Sequence, residues 1–126
     1  VRQDAFASNA TVAGRWPKDL QGSLYRNGQA QHEIGDFRYQ HWFHGDGMLQ
    51  SFRFDENGMR HAARMIQTKE YLAEKAAGRA LFSGFASVPP NPAAVTSLDL
   101  INPGNISVPH HHGKLLALWE AGSPWR

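Results

Sequence analysis

The sequence predicts an all-β fold with one helical insertion, and three observations carry that expectation. Residues 48–54 alternate, Met48, Gln50, Phe52 and Phe54 on one face and Leu49, Ser51 and Arg53 on the other, which is the period of a half-buried strand. Asp55-Glu56-Asn57-Gly58 follows directly, and Asn-Gly favours a type I′ hairpin turn. From Lys69 to Leu81 the pattern turns helical instead. Repeated hairpins of short strands suit a sandwich, a barrel or a propeller, and the pattern alone leaves all three open.

The elements follow in order. Residues 1–21 read as an extended lead-in, with Pro17 biasing Trp16 away from helix. Gly22–Gly28 is a short strand, the Gly35-Asp36 region a polar turn, and Phe37–Phe43 a second strand. Gly45-Asp46-Gly47 is expected as a turn, with Asp46 bonding nearby backbone amides. A hairpin over about 47–68 comes next, its return strand Met59–Thr68. Thr68 is suited to cap a helix reaching Leu81, with Glu70 and Glu74 towards its positive end and Lys75 and Arg79 towards its negative end. Tyr71, Leu72, Ala76, Ala80 and Leu81 supply its apolar stripe, weakened by Gly78. Pro89, Pro90 and Pro92 make 83–96 a loop. A last hairpin runs through Ile106-Ser107-Val108, turns at His110–Gly113 and returns as a buried strand over Lys114–Glu120.

Composition narrows the function classes. The 126 residues include four Trp and seven Phe, enough for large buried surfaces. Thirteen Lys and Arg against eleven Asp and Glu give a charge of +2 without any basic run, which argues against nucleic acid as a partner. No cysteine is present, so there is no disulfide scaffold, thiolate metal site or Cys nucleophile. No apolar run reaches the roughly 20 residues of a membrane span, and the start does not read as a signal peptide. A soluble, cytoplasmic protein is expected. Two sequons occur, at Asn9 and Asn105.

Residues with chemical potential are few. His110-His111-His112 invites a metal reading, but neighbours in an extended segment point different ways. His41 and His44 are three apart in a segment read as extended, which does not bring them onto one ion. His32 and His61 are isolated and expected in solvent. No nucleophile elbow and no phosphate loop is found. Glu120 stands out because it closes an apolar run, where an ionised carboxylate requires a partner such as a histidine N–H or an arginine.

Four stretches, taken together, resemble the carotenoid oxygenases, or carotenoid cleavage dioxygenases. They are Asp19–Gly28, His41–Leu49, Arg64–Tyr71 and Lys114–Gly122, in the order and spacing of that family's N-terminal region. His44 departs from it, since the family usually has Asp there. The resemblance implies that residues 1–126 are part of a seven-bladed β-propeller domain, incomplete at the C-terminus; the start at Val1 in place of Met suggests trimming at the N-terminus as well. It also implies Fe(II) on four histidines, some bonded to glutamates, an iron that uses O2 to cleave a C=C double bond of a polyene or stilbene. Glu120 matches the first of those glutamates. None of the seven histidines matches an iron ligand, so this portion is expected to hold no iron, to be inactive by itself and, with open strand edges, to be poorly stable.

Substrate class rests on two positions. Relatives that cleave stilbenes tend to place Lys before the glutamate and Tyr at the position of Phe85; here the residues are Trp119 and Phe85. Trp119 and Phe85 are thus candidate substrate-cavity residues, and a lipophilic carotenoid or apocarotenoid fits better than a stilbenoid. Such substrates imply peripheral membrane contact. The rival readings are a stilbenoid-cleaving dioxygenase, a non-catalytic propeller binding module and a free-standing β domain with a metal at the His turn.

Overall fold

The computed structural model describes residues 5–94 and 101–126. Its centre is the expected hairpin, β5 (Asp46–Asp55) paired with β6 (Gly58–Met65). On one side β2 (Gly22–Gln31) pairs antiparallel with β5, and on the other β1 (Ala5–Asn9) pairs with β6. The result is a four-stranded antiparallel sheet in the order β1-β6-β5-β2. β1 lies in the segment read as an extended lead-in. The same segment is anchored further on, where the Trp16 indole N–H donates to the Asp55 carbonyl and the ring stacks on Phe54.

The type I′ turn expected at Asn57-Gly58 is found instead in the last hairpin. At Asp55–Gly58 the loop residues are Glu56 and Asn57 and only Gly58 has positive φ, at 127°. A type I′ turn centred on Asn57-Gly58 is therefore not formed; the Asp55 carboxylate instead accepts from the Asn57 N–H at 2.9 Å. The type I′ signature occurs in the last hairpin, where β7 (His110–His111) pairs with β8 (Lys114–Leu115). Its two loop residues, His112 and Gly113, have φ of 46° and 73°, the positive pair that such a turn requires. The long buried strand expected over 114–120 is only two residues, continued by bridges from Leu118 to Ser107 and from Ala117 to Trp125.

The segment after the small hairpin β3 (Glu33–Ile34) and β4 (Phe37–Arg38) also departs from expectation. The strand stops at Arg38, and Trp42–His44 form a 3-10 turn whose first N–H groups find a side-chain cap, His41 Nδ1 accepting from Phe43 N. Gly45-Asp46-Gly47 is not a turn; it leads straight into β5. Its glycines serve close approach rather than positive φ. A Cβ at Gly47 would lie 2.7 Å from the Pro103 carbonyl oxygen and 2.8 Å from that of Gly104.

Helix α1 (Lys69–Ala77) begins as expected, with Thr68 accepting from Tyr71 N at 3.0 Å. It ends four residues early because Gly78 adopts the left-handed conformation of a C-terminal cap, φ 64°. Its inward face is Tyr71 and Glu74, while Leu72 is 46% exposed. Tyr71 joins Met48, Ala63 and Met65 in the core, with Ala30 against them. Burying a side chain such as Met48 contributes about 1.5–3 kcal/mol.

Candidate functional site

The 3-10 turn at Trp42–His44 separates two environments. Outward, Trp42 is 68% and Phe43 51% exposed; inward, His44 is 4% exposed. The outer side is an aromatic rim. The His41 ring meets Phe43 edge-on at 4.9 Å and Phe85 at 4.5 Å, and Phe43 and Phe85 lie 5.9 Å apart. Phe85 is carried by the loop after α1, tied at its base by the Gly84–Ser87 bridge and by Ser87 Oγ, which accepts from Gln40 N at 2.7 Å.

The inner side is polar and closed. His44 stacks flat on Tyr39, centroids 4.1 Å apart and planes at 7°. Gly84 sits against the other side of that imidazole, where any Cβ would strike it. The Tyr39 hydroxyl lies 3.1 Å from both Asp46 Oδ2 and Glu74 Oε2. Glu74 Oε1 also accepts from Leu81 N and Phe82 N, at 2.8 and 3.0 Å. Burial pushes the Asp46 carboxyl up to about 7, with Glu74's charge adding and the Tyr39 hydrogen bond opposing. Burial holds His44 down at about 4, hence neutral, and raises the Tyr39 phenol well above its usual range.

Asp46 thus does not bond adjacent amides, and Glu74, expected towards the positive end of α1, lies beyond its first turn and is buried. A sequence signal existed for Glu74. It lies three residues after Tyr71, and residues so spaced share a helix face.

A third group of residues holds the turn in place. Asn105 is 1% exposed, and its amide donates to the carbonyls of Phe43 and Gly45, at 3.0 and 2.7 Å. Asn27 donates to Gly104 and Ser107 carbonyls, and Asn102 bridges Gly104 N and the Ser123 carbonyl. The sequon at Asn105 is therefore not open to glycosylation in this fold; its amide nitrogen is used twice.

The sequence-derived site residues are not brought together. Glu120 is exposed in a turn rather than buried at a strand end, and Trp119 beside it is half-buried. No ring contact joins Trp119 to Phe85 among the described residues. The histidines are equally dispersed. His61 stacks on Phe52 and meets Gln50 at 3.1 Å, His32 is half-buried near Trp42, and His110–His112 are exposed. His61 and His32 are thus not the solvated pair expected. Among the described residues no three His, Cys, Asp or Glu side chains group as a cation site. A four-histidine iron centre does not fit the residues of this chain taken alone. No helix among them is long and apolar enough to cross a membrane.

Comparison with known proteins extends this picture. Residues 2–126 match the family model described as retinal pigment epithelial membrane protein, RPE65. Apocarotenoid-15,15'-oxygenase of Synechocystis sp. is 41% identical over 119 residues, 91% of this chain and 24% of that protein. Isoeugenol monooxygenase of Pseudomonas nitroreducens is 30% identical over 125 residues, 99% of this chain and 26% of that protein. The structure of cobalt-substituted Synechocystis ACO superposes with a TM-score of 0.76 at 36% identity, covering 97% of this chain and 26% of that one. The chain therefore spans about a quarter of the length of the proteins it matches.

Proposed function

The chain belongs to the RPE65 family, that of the carotenoid oxygenases, and from that membership we propose that the whole protein is a non-haem Fe(II) dioxygenase cleaving a C=C bond of a carotenoid or apocarotenoid. The observation that carries this reading is the 41% identity with apocarotenoid-15,15'-oxygenase over 91% of the chain. A four-stranded antiparallel sheet is the unit of a propeller blade, which supports a propeller of which residues 1–126 are part; the count of seven blades follows from the family resemblance alone. The iron, which would supply the activation of O2, is held by histidines outside these residues. Imidazole ligation with open positions suits that chemistry.

The chain's own residues then have three tasks. Glu120 bonds to a ligand histidine from a later segment, orienting the imidazole and raising its basicity. Its exposed position leaves the carboxylate free to meet a residue from elsewhere. Trp119 and Phe85 line the cavity and exclude water from an apolar polyene. Neither offers the ammonium or phenol hydroxyl that would favour a stilbenoid. Phe43 and His41 extend the wall at Phe85.

One observation favours a second reading. The 30% identity with isoeugenol monooxygenase extends over 99% of the chain, so a stilbenoid or other phenolic substrate is the alternative. The test is to assay the full-length protein with Fe(II) and O2 on an apocarotenal and on a hydroxystilbene. Cleavage of the apocarotenal, lost without iron, is expected. Turnover of the stilbene alone would favour the second reading, and turnover of neither would leave a non-catalytic binding module.

A further inference from the structure

Tyr39, Asp46 and Glu74 form a buried chain of three oxygen acids with too few hydrogens if both carboxyls are ionised. A phenol has one hydrogen and can donate to one neighbour, yet the Tyr39 hydroxyl is 3.1 Å from a carboxyl oxygen on each side. The second contact is then either two lone pairs pressed together out of water or a bond in which the carboxyl is the donor. Asp46 and Glu74 are 8% and 4% exposed, so an unsatisfied contact of that kind is costly. Glu74 is already an acceptor from two backbone N–H groups. The Asp46 carboxyl has no other hydrogen-bond partner among the described residues. The groups facing the cluster are Tyr39 with stacked His44 from the segment before β5, Asp46 from β5 and Glu74 from α1. No cation pairs with either carboxyl among the described residues.

We propose that Asp46 is protonated in the folded protein and donates to the Tyr39 oxygen while Tyr39 donates to Glu74, a shared proton that latches α1 and the loop carrying Phe85 to the sheet. The latch reaches that loop because Glu74 Oε1 holds the N–H groups of Leu81 and Phe82. Loss of the proton sets two carboxylates against one hydroxyl and loosens their hold on the loop.

The direction of the pH effect follows from linkage. Asp46 has its carboxyl raised from 3.8 to about 7 in the fold, so between those values the folded form binds one more proton than the opened form. Stability of the latch falls as pH rises through that window and is level above it. Hydrogen exchange of the segment 79–87 in the full-length protein reads this directly, after correction for the intrinsic rate. Asp46→Asn, a neutral donor at every pH, is the reference.

Protection in the wild type should fall relative to Asp46→Asn by up to about tenfold per pH unit towards neutrality, then level off. Parallel profiles would overturn the proposal. If Asp46→Asn does not fold, Glu74→Gln serves in its place. Removing the neighbouring negative charge should move the levelling-off to lower pH, and an unmoved profile would equally sink the idea. The infrared carbonyl stretch of a protonated acid at neutral pH, present in the wild type and absent in Asp46→Asn, identifies the group. A spectrum without that difference contradicts the assignment.

Discussion

The two sides of the Trp42–His44 turn differ in almost every physical respect although the turn itself is only three residues long. On the inner side His44, Tyr39, Asp46 and Glu74 are buried; the Tyr39 hydroxyl meets both carboxyls, and His44 Nδ1 has no hydrogen-bond partner among the described residues. On the outer side Trp42, Phe43 and Phe85 are large apolar groups more than half exposed. Among the described residues the inner side is closed by groups of this chain, whereas the outer rings are exposed. Substitutions inside should therefore cost stability, and substitutions outside should cost binding or turnover of an apolar substrate. That contrast teaches where structure and function divide in this segment.

The largest expected effect tests a backbone contact beside the inner side, at Gly47. Gly47→Ala would press a methyl against the carbonyl oxygens of Pro103 and Gly104, 2.7 and 2.8 Å away. Backbone cannot yield as a flexible side chain does, so a loss of about 3 kcal/mol is expected in denaturant unfolding of the full-length protein. An unchanged midpoint would mean the 101–105 segment is not clamped on β5. A smaller effect is expected from Asn105→Ala, which strips the part-buried carbonyl of Phe43 and the buried carbonyl of Gly45 of their donor. That loss is about 2 kcal/mol by the same measurement, and a neutral result would detach the turn from its anchor.

The smallest stability effect sharpens the other half of the contrast. Phe85→Ala should change stability by no more than about 0.5 kcal/mol, because the ring is mostly exposed in this chain. It should still lower kcat/KM for an apocarotenal by about tenfold if the rim lines the cavity. A stability loss as large as that of Asn105→Ala, with unchanged kinetics, would move Phe85 into the structural class and erase the distinction.

The hairpin of β5 and β6 and the start of α1 were legible because their signals are local. Alternation over 48–54 and the Thr68 cap act within a few residues of the features they specify. Motif spacing likewise carried the family, and with it the expectation for Glu120, which these residues leave exposed. The Gly45-Asp46-Gly47 reading failed because glycine has two uses. Composition alone cannot separate positive φ from close backbone approach.

What the sequence determined by itself is thus the β character of the chain, the position of its helix and its family. Local propensity and ordered motifs need no knowledge of distant partners. Tertiary structure alone decided which polar residues are buried. Tyr39 finds Glu74 across 35 positions and Asn105 finds Phe43 across 62, and a carboxyl's cost in the interior depends on the neighbours that the fold supplies. The same holds for His44, read as a departure from the family pattern and found stacked on Tyr39 beside Gly84.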